Sequence, residues 1–160
     1  MLGSLLTEEI DEVLSRNILG RLGCNDGVKT YVIPINYIYD GKCIIAHSVE
    51  GMKIKMMRKN NAVCFEVDEI TNQTNWKSVI VWGTYHEITS ERERYEAMKL
   101  FVNKTLKLKI SKTTHTPELN ENREHPESLL SVKPVIFRIL IDEKTGRYET
   151  EHADEYHMHL

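Results

Sequence analysis

The chain has 160 residues, 41% of them hydrophobic and 28% charged, with a formal net charge of −3. That length favours one domain with a substantial core over two small ones, and the charge balance gives no electrostatic ground for binding nucleic acid. No apolar run approaches the roughly 20 residues that span a bilayer, and the start MLGSLLTEEIDEVL turns acidic where a secretion signal would be basic, so a cytoplasmic protein without a membrane segment is expected.

Residues 6–14 predict a helix: Thr7 as its cap, carboxylates in the first turn, and Ile10, Val13 and Leu14 at i, i+3, i+4 spacing for packing. Residues 18–24 read as a first strand, and Asn25-Asp26-Gly27 as a turn into a strand over 29–39. Pro34 inside that strand cannot donate to a ladder, which places it at an edge, at a bulge or in a locally irregular stretch. Asp40-Gly41 fits a two-residue hairpin turn of the I′ kind, after which 42–46 resumes as an antiparallel strand.

His47-Ser48 and Val49-Glu50-Gly51 follow, then a helical run to residue 59 with Met52, Ile54, Met56 and Met57 apolar and Lys53, Lys55, Arg58 and Lys59 basic. A hydroxyl, a glycine and a basic helix start at a strand end are the parts of an anion site. The same serine and glycine also serve as purely structural caps in many helices, so the spacing leaves both readings open.

Residues 62–67 read as a strand, 68–75 as a polar loop and 76–88 as a long strand. A Ser90-x-x-Glu93 capping box opens an amphipathic helix over 91–103, with Tyr95, Met98, Phe101 and Val102 against charged neighbours. Residues 106–110 alternate strictly and read as a solvated edge, 111–126 as a surface excursion holding two prolines, and 134–141 as a final strand. Cys24, Cys43 and Cys64 are widely spaced, as buried reduced thiols are, rather than paired for a disulfide or a metal. The tail over 149–160 carries His152, His157 and His159; with no companion ligands it reads as disordered, and no metal site is expected.

Three segments in succession resemble the flavin-binding core of the pyridoxamine 5′-phosphate oxidase-like split barrels, nearest their nitroimidazole-resistance (Nim-like) branch. They are Tyr31-Val32-Ile33-Pro34-Ile35-Asn36-Tyr37, His47-Ser48-x-x-Gly51-x-Lys53 and Asn60-Asn61-Ala62-Val63-Cys64-Phe65-Glu66-Val67-Asp68. Trp76-x-Ser78-Val79 resembles a later run of the same family, and 139–147 its closing strand and turn, so the resemblance covers roughly 5–148.

The resemblance implies a mainly β fold with flanking helices, an FMN-binding split β-barrel of about six antiparallel strands of Greek-key type, filling 1–148 as a single domain. It also implies a homodimer with FMN at the interface. Backbone groups of Ile33, Pro34 and Ile35 would face the isoalloxazine, Ser48 and Lys53 would meet the phosphate, and Arg58 would be a more distant charge. Trp76 and Ser78 would complete a site whose phosphate end comes from the other subunit. His47 would stand near flavin and substrate as the candidate catalytic residue, donating a proton or a hydrogen bond.

The implied activity is that of an FMN-dependent oxidoreductase reducing a small-molecule acceptor, nitroaromatic compounds included, by two-electron transfer from reduced flavin. A flavin-binding or redox-sensing module without turnover, and a haem-binding split barrel, are the alternatives. Arg147-Tyr148 is followed by acidic residues where pyridoxamine phosphate oxidases proper carry an Arg-x-His-type motif, and no Gly-rich dinucleotide fingerprint is present.

Overall fold

Apolar residues recurring at every second position build seven strands, and the computed structural model describes residues 1–109 and 133–151. In chain order the elements are β1 (Leu2–Ser4), α1 (Thr7–Arg16), β2 (Leu19–Asn25), β3 (Thr30–Tyr39), β4 (Cys43–Ser48), α2 (Met52–Lys59), β5 (Ala62–Asn72), β6 (Asn75–Glu87), α3 (Glu91–Lys109) and β7 (Val135–Glu149). The sheet order is β1-β7-β4-β3-β2-β5-β6, and β6 pairs again with β7. Six antiparallel strands, β2 to β7, therefore close into a barrel, with β1 added along the last residues of β7.

The strands β2, β3 and β4 form a meander, and β5 returns through α2 to lie beside β2. That is the Greek-key arrangement. Leu22, Tyr37, Ile44, Phe65, Val81 and Phe137 point into the barrel and are buried. One side of α1 packs Ile10, Val13 and Leu14 onto the same core, and Asp11 on that helix accepts hydrogen bonds from Tyr39 (2.7 Å) and Lys144. A second, smaller cluster lies outside the barrel wall, where Met98 and Phe101 of α3 pack with Cys43, Ile45, Ile88, Ala97 and Ile136.

Several boundaries differ from the sequence-based expectation, each for a physical reason. Thr7 is the first helical residue rather than the cap; the N–H of Leu6 is satisfied by the Glu9 carboxylate at 2.7 Å. The polar stretch after residue 67 is strand as far as Asn72, because its carboxylates find partners on neighbouring elements: Asp68 with Arg21 at 2.6 Å, and Glu69 with Arg16 and Asn17. Glu93 turns outward to Arg138 (2.7 Å) instead of completing a capping box. α3 runs on to Lys109, since no glycine or proline interrupts 103–109 and leucine and lysine are good helix formers. The stretch 142–147 is not a turn: β7 continues through it to Glu149, and an irregularity between Trp82 and Gly83 of β6 absorbs the bend. The rest of the surface excursion and the histidines of the tail lie outside the described residues.

Cys24 and Cys43 are buried, Cys64 is half-buried, and none is in a disulfide. Burial pushes the Cys24 and Cys64 thiols up, and that of Cys43 up to about 12 with the help of the Asp40 carboxylate.

Candidate functional site

The hairpin of β3 and β4 is paired only near its turn, at Tyr37 with Ala46, Ile38 with Ile45 and Tyr39 with Ile44. Beyond that point the strands part. The first seven residues of β3, Thr30 to Asn36, pair with β2 alone, and His47 and Ser48 of β4 pair with Ile136 and Val135 of β7 alone. The N–H of Tyr37 donates to the carbonyl of Ile18 at 2.9 Å, which sets the alternation of the ladder: residues 35, 33 and 31 bond to β2. Val32 and Pro34 then turn their backbone polar groups towards the open side. The missing N–H of Pro34 falls on that side too, so β2–β3 loses no bond to it. Of the three situations in which a strand tolerates proline, this is the edge.

Ser48 ends β4 as its last paired residue instead of lying beyond the strand, and its hydroxyl donates to the carbonyl of Val49 at 2.8 Å. It does not cap α2. The N-cap is Gly51, with no side-chain bond, and the first-turn N–H groups of the helix have no intrahelical acceptor. α2 buries Ile54, Met56 and Met57, which holds it against the barrel. Lys53 on its first turn is half-buried and near Cys24, whose thiol its charge pulls down against burial and Asp26. Lys53 makes no hydrogen bond or ion pair among the described residues.

Arg58 is different. Its guanidinium takes both oxygens of Glu87 (2.9 and 2.8 Å) and one of Glu50 (2.9 Å), so its charge is already met and does not point to the open edge. The Arg58 guanidinium is also the main reason that the Glu87 carboxyl lies below its ordinary value, with the Tyr85 hydroxyl bond at 3.0 Å adding to it against partial burial. A depressed carboxyl contributes stability above its unfolded value of about 4.5 and loses it as pH falls through the lower folded value. In Arg58→Met, Glu87 is therefore expected to titrate closer to 4.5 than in the parent; carboxyl-carbon NMR across acid pH measures it, and an unmoved midpoint would refute the account.

His47 lies on the outer side of β4, under α3, where its ring meets that of Phe101 edge-on at 4.8 Å. Trp76 and Ser78 lie on β6. The indole of Trp76 donates to Glu149 (3.0 Å) and the hydroxyl of Ser78 to Glu66 (3.0 Å), on the outside of the barrel beside Arg21 and Asp68. Pro34, Arg21, Glu66 and Ile80 stand in register across β3, β2, β5 and β6. β6 is thus three strand spacings, about 14 Å, from β3. Within one chain Ile33, Pro34 and Ile35 lie on one of the parted strands and His47 and Ser48 on the other, with Lys53 in the first turn of the helix that follows, whereas Trp76 and Ser78 lie on β6.

Sequence reasoning missed Glu50, Glu87 and Phe101. Glu50 and Arg58 are eight apart with only one of them in a helix, and the other two partners are distant in the chain, so no local spacing signals them.

A family model described as pyridoxamine 5′-phosphate oxidase matches residues 7–147. The chain belongs to that family. An FAD-binding protein of Mesorhizobium loti is 30% identical, with 94% of this chain and 98% of that one covered and a TM-score of 0.70. A Bacteroides thetaiotaomicron protein described as a candidate 5-nitroimidazole antibiotic resistance protein shares the fold at 18% identity and TM-score 0.66, covering 92% of this chain and 87% of its own. An uncharacterized protein of Rhizobium meliloti is 30% identical over 145 residues, 88% of this chain and 90% of the relative. No helix among the described residues is long and apolar enough to cross a membrane.

Proposed function

We propose that this chain is a flavoprotein that binds FMN along the open edge of β3, and that it reduces a small acceptor, nitroaromatic compounds included. The observation that carries the proposal is the parted β3–β4 hairpin bordered by Lys53, an ammonium with no acceptor among the described residues. A flavin nucleotide needs two kinds of contact, one for its phosphate and one for its ring. Lys53, Ser48 and the first-turn N–H groups of α2 fit a phosphate, and the backbone of Val32 and Pro34 on the unpaired edge fits the polar rim of the ring. When bound, the flavin supplies the two-electron chemistry itself. The chain's part is to anchor the phosphate at Lys53, to orient the ring along Ile33, Pro34 and Ile35, and to hold a proton donor at His47, whose ring Phe101 steadies.

A homodimer belongs to this reading. Val32 (63% exposed), Leu19 (48%) and Trp82 (41%) stand on the outside of the barrel, where a second copy would cover them. Trp76 and Ser78 would then reach the partner's site rather than their own. The 30% identical Mesorhizobium loti relative, an FAD-binding protein, supports a flavin and leaves the nucleotide to be measured.

The test is the visible spectrum of the purified protein before and after incubation with FMN, with the mass of any cofactor released by denaturation. Flavin bands that survive removal of excess FMN, and a released mass of FMN, are expected; a released mass of FAD changes the nucleotide, and a protein that retains neither refutes the proposal. Anaerobic reoxidation of the reduced protein by a nitroaromatic acceptor tests turnover. His47→Ala is expected to slow that step by about tenfold, the loss of one hydrogen bond to a developing charge, and to weaken FMN binding less. Reoxidation by no acceptor faster than by oxygen would make the chain a flavin-binding module instead.

A further inference from the structure

α2 is eight residues long, and Arg58 stands in its last turn. Side chains on a helix lean towards its N-terminus, so the guanidinium runs back along α2 and meets Glu50, which precedes the Gly51 cap, at 2.9 Å. Its other N–H groups grip both oxygens of Glu87, the last residue of β6, at 2.9 and 2.8 Å. Tyr85, on the same strand, donates to Glu87 at 3.0 Å and steadies that carboxylate from the barrel side. Glu87 is itself fixed by pairing with Phe137 of β7.

The loop over 49–51 has little else to hold it. The Ser48 hydroxyl bonds only to the neighbouring Val49 carbonyl, the side chain of Val49 is 62% exposed, and no side chain caps Gly51. Two carboxylates and one guanidinium sum to −1, so the field of the cluster opposes an anion at the start of α2. Any help that it gives to anion binding there must be geometric.

We propose that Arg58 is a positioning residue: by tying Glu50 to Glu87 it fixes the loop that carries Ser48 to Gly51 against the barrel wall, and so sets the shape of the phosphate cradle at Lys53. The binding arm of the test rests on the flavin proposal above; the loop arm does not. FMN is titrated into the parent, Arg58→Met, Glu50→Gln, their combination, and Arg16→Met, which breaks a comparable guanidinium–carboxylate pair between α1 and Glu69 of β5. Order parameters of the backbone amides of 49–53 are measured by ¹⁵N relaxation in the cofactor-free proteins.

Arg58→Met and Glu50→Gln are each expected to weaken FMN binding by about fivefold, the upper range for an exposed pair. The combined variant should be no weaker than Arg58→Met alone, because both act through one contact. Amides 49–51 should loosen from about 0.8 to about 0.6, and Arg16→Met should change neither readout. Tighter FMN binding in Glu50→Gln would mean that the cluster acts through its field, and unchanged order parameters in Arg58→Met would mean that the loop is held otherwise; either overturns the proposal. If the parent takes up no FMN, the flavin reading falls, and the order parameters decide the role of Arg58 without it.

Discussion

Lys53→Met is expected to weaken FMN binding by about ten- to a hundredfold, the value of a hydrogen bond to a charged group at about 1.5–3 kcal/mol. Methionine keeps the length and much of the packing of the lysine stem, so the change removes the charge rather than the volume. The cofactor-free protein should lose no stability, because Lys53 has no acceptor among the described residues whose bond the change would break. A fall in affinity with an unchanged or higher melting temperature is the signature of a group kept for a ligand. The Cys24 thiol offers an independent readout: Lys53 now pulls it down against burial, so it should titrate higher in the variant. Binding within twofold of the parent would remove Lys53 from the site, and with it the strongest anchor of the proposed cradle.

How much of this was legible depended on whether the signal was local. Pro34 announced an edge, a bulge or an irregular stretch because a missing N–H is a property of the residue itself, and the structure makes it an edge where β3 and β4 part. Strands and turns met in order gave the hairpins; their closure into a Greek-key barrel was implied by the resemblance, and the sheet order bears it out. The stretch 68–72 was misread because its polarity suggests a loop when taken alone; only Arg21, Arg16 and Asn17, about 50 positions away, make a strand of carboxylates tenable. The alternation at 106–110 fits a strand on paper, but 106–109 continue a helix already running, and a helix without a breaker extends more easily than a new strand starts. In the basic run of α2 spacing alone does not rank the four cations; the resemblance singled out Lys53, and the fold gives Arg58 to two carboxylates while Lys53 has no acceptor among the described residues. For Trp76 and Ser78 the resemblance implied a site whose phosphate end comes from another subunit, and the register of β6 keeps them apart from the other candidates within one chain.

Phe65→Ala is expected to cost about 3–5 kcal/mol, as large-to-small changes of a buried aromatic do. Phe65 is fully buried on β5, and its ring meets Tyr37 edge-on at 4.8 Å. Tyr37 is the last β3 residue paired with β4 before the strands part, and its hydroxyl reaches the carbonyl of Leu14 at 2.7 Å, so the ring of Phe65 buttresses the root of the opening. Gly20 makes the geometry testable, because a Cβ added there would lie 2.3 Å from the end of the Phe65 ring and 2.9 Å from the carbonyl of Glu66. Gly20→Ala alone should therefore destabilise by about 1–3 kcal/mol through overpacking. In the Phe65→Ala background the ring contact is gone and part of the new cavity is filled, so the same change should cost clearly less, with only the backbone contact left to relax. Chemical denaturation of the four proteins gives the coupling energy directly. A coupling of at least about 1 kcal/mol is the expected result, whereas additive costs would show that Phe65 and Gly20 do not share the space that this packing gives them.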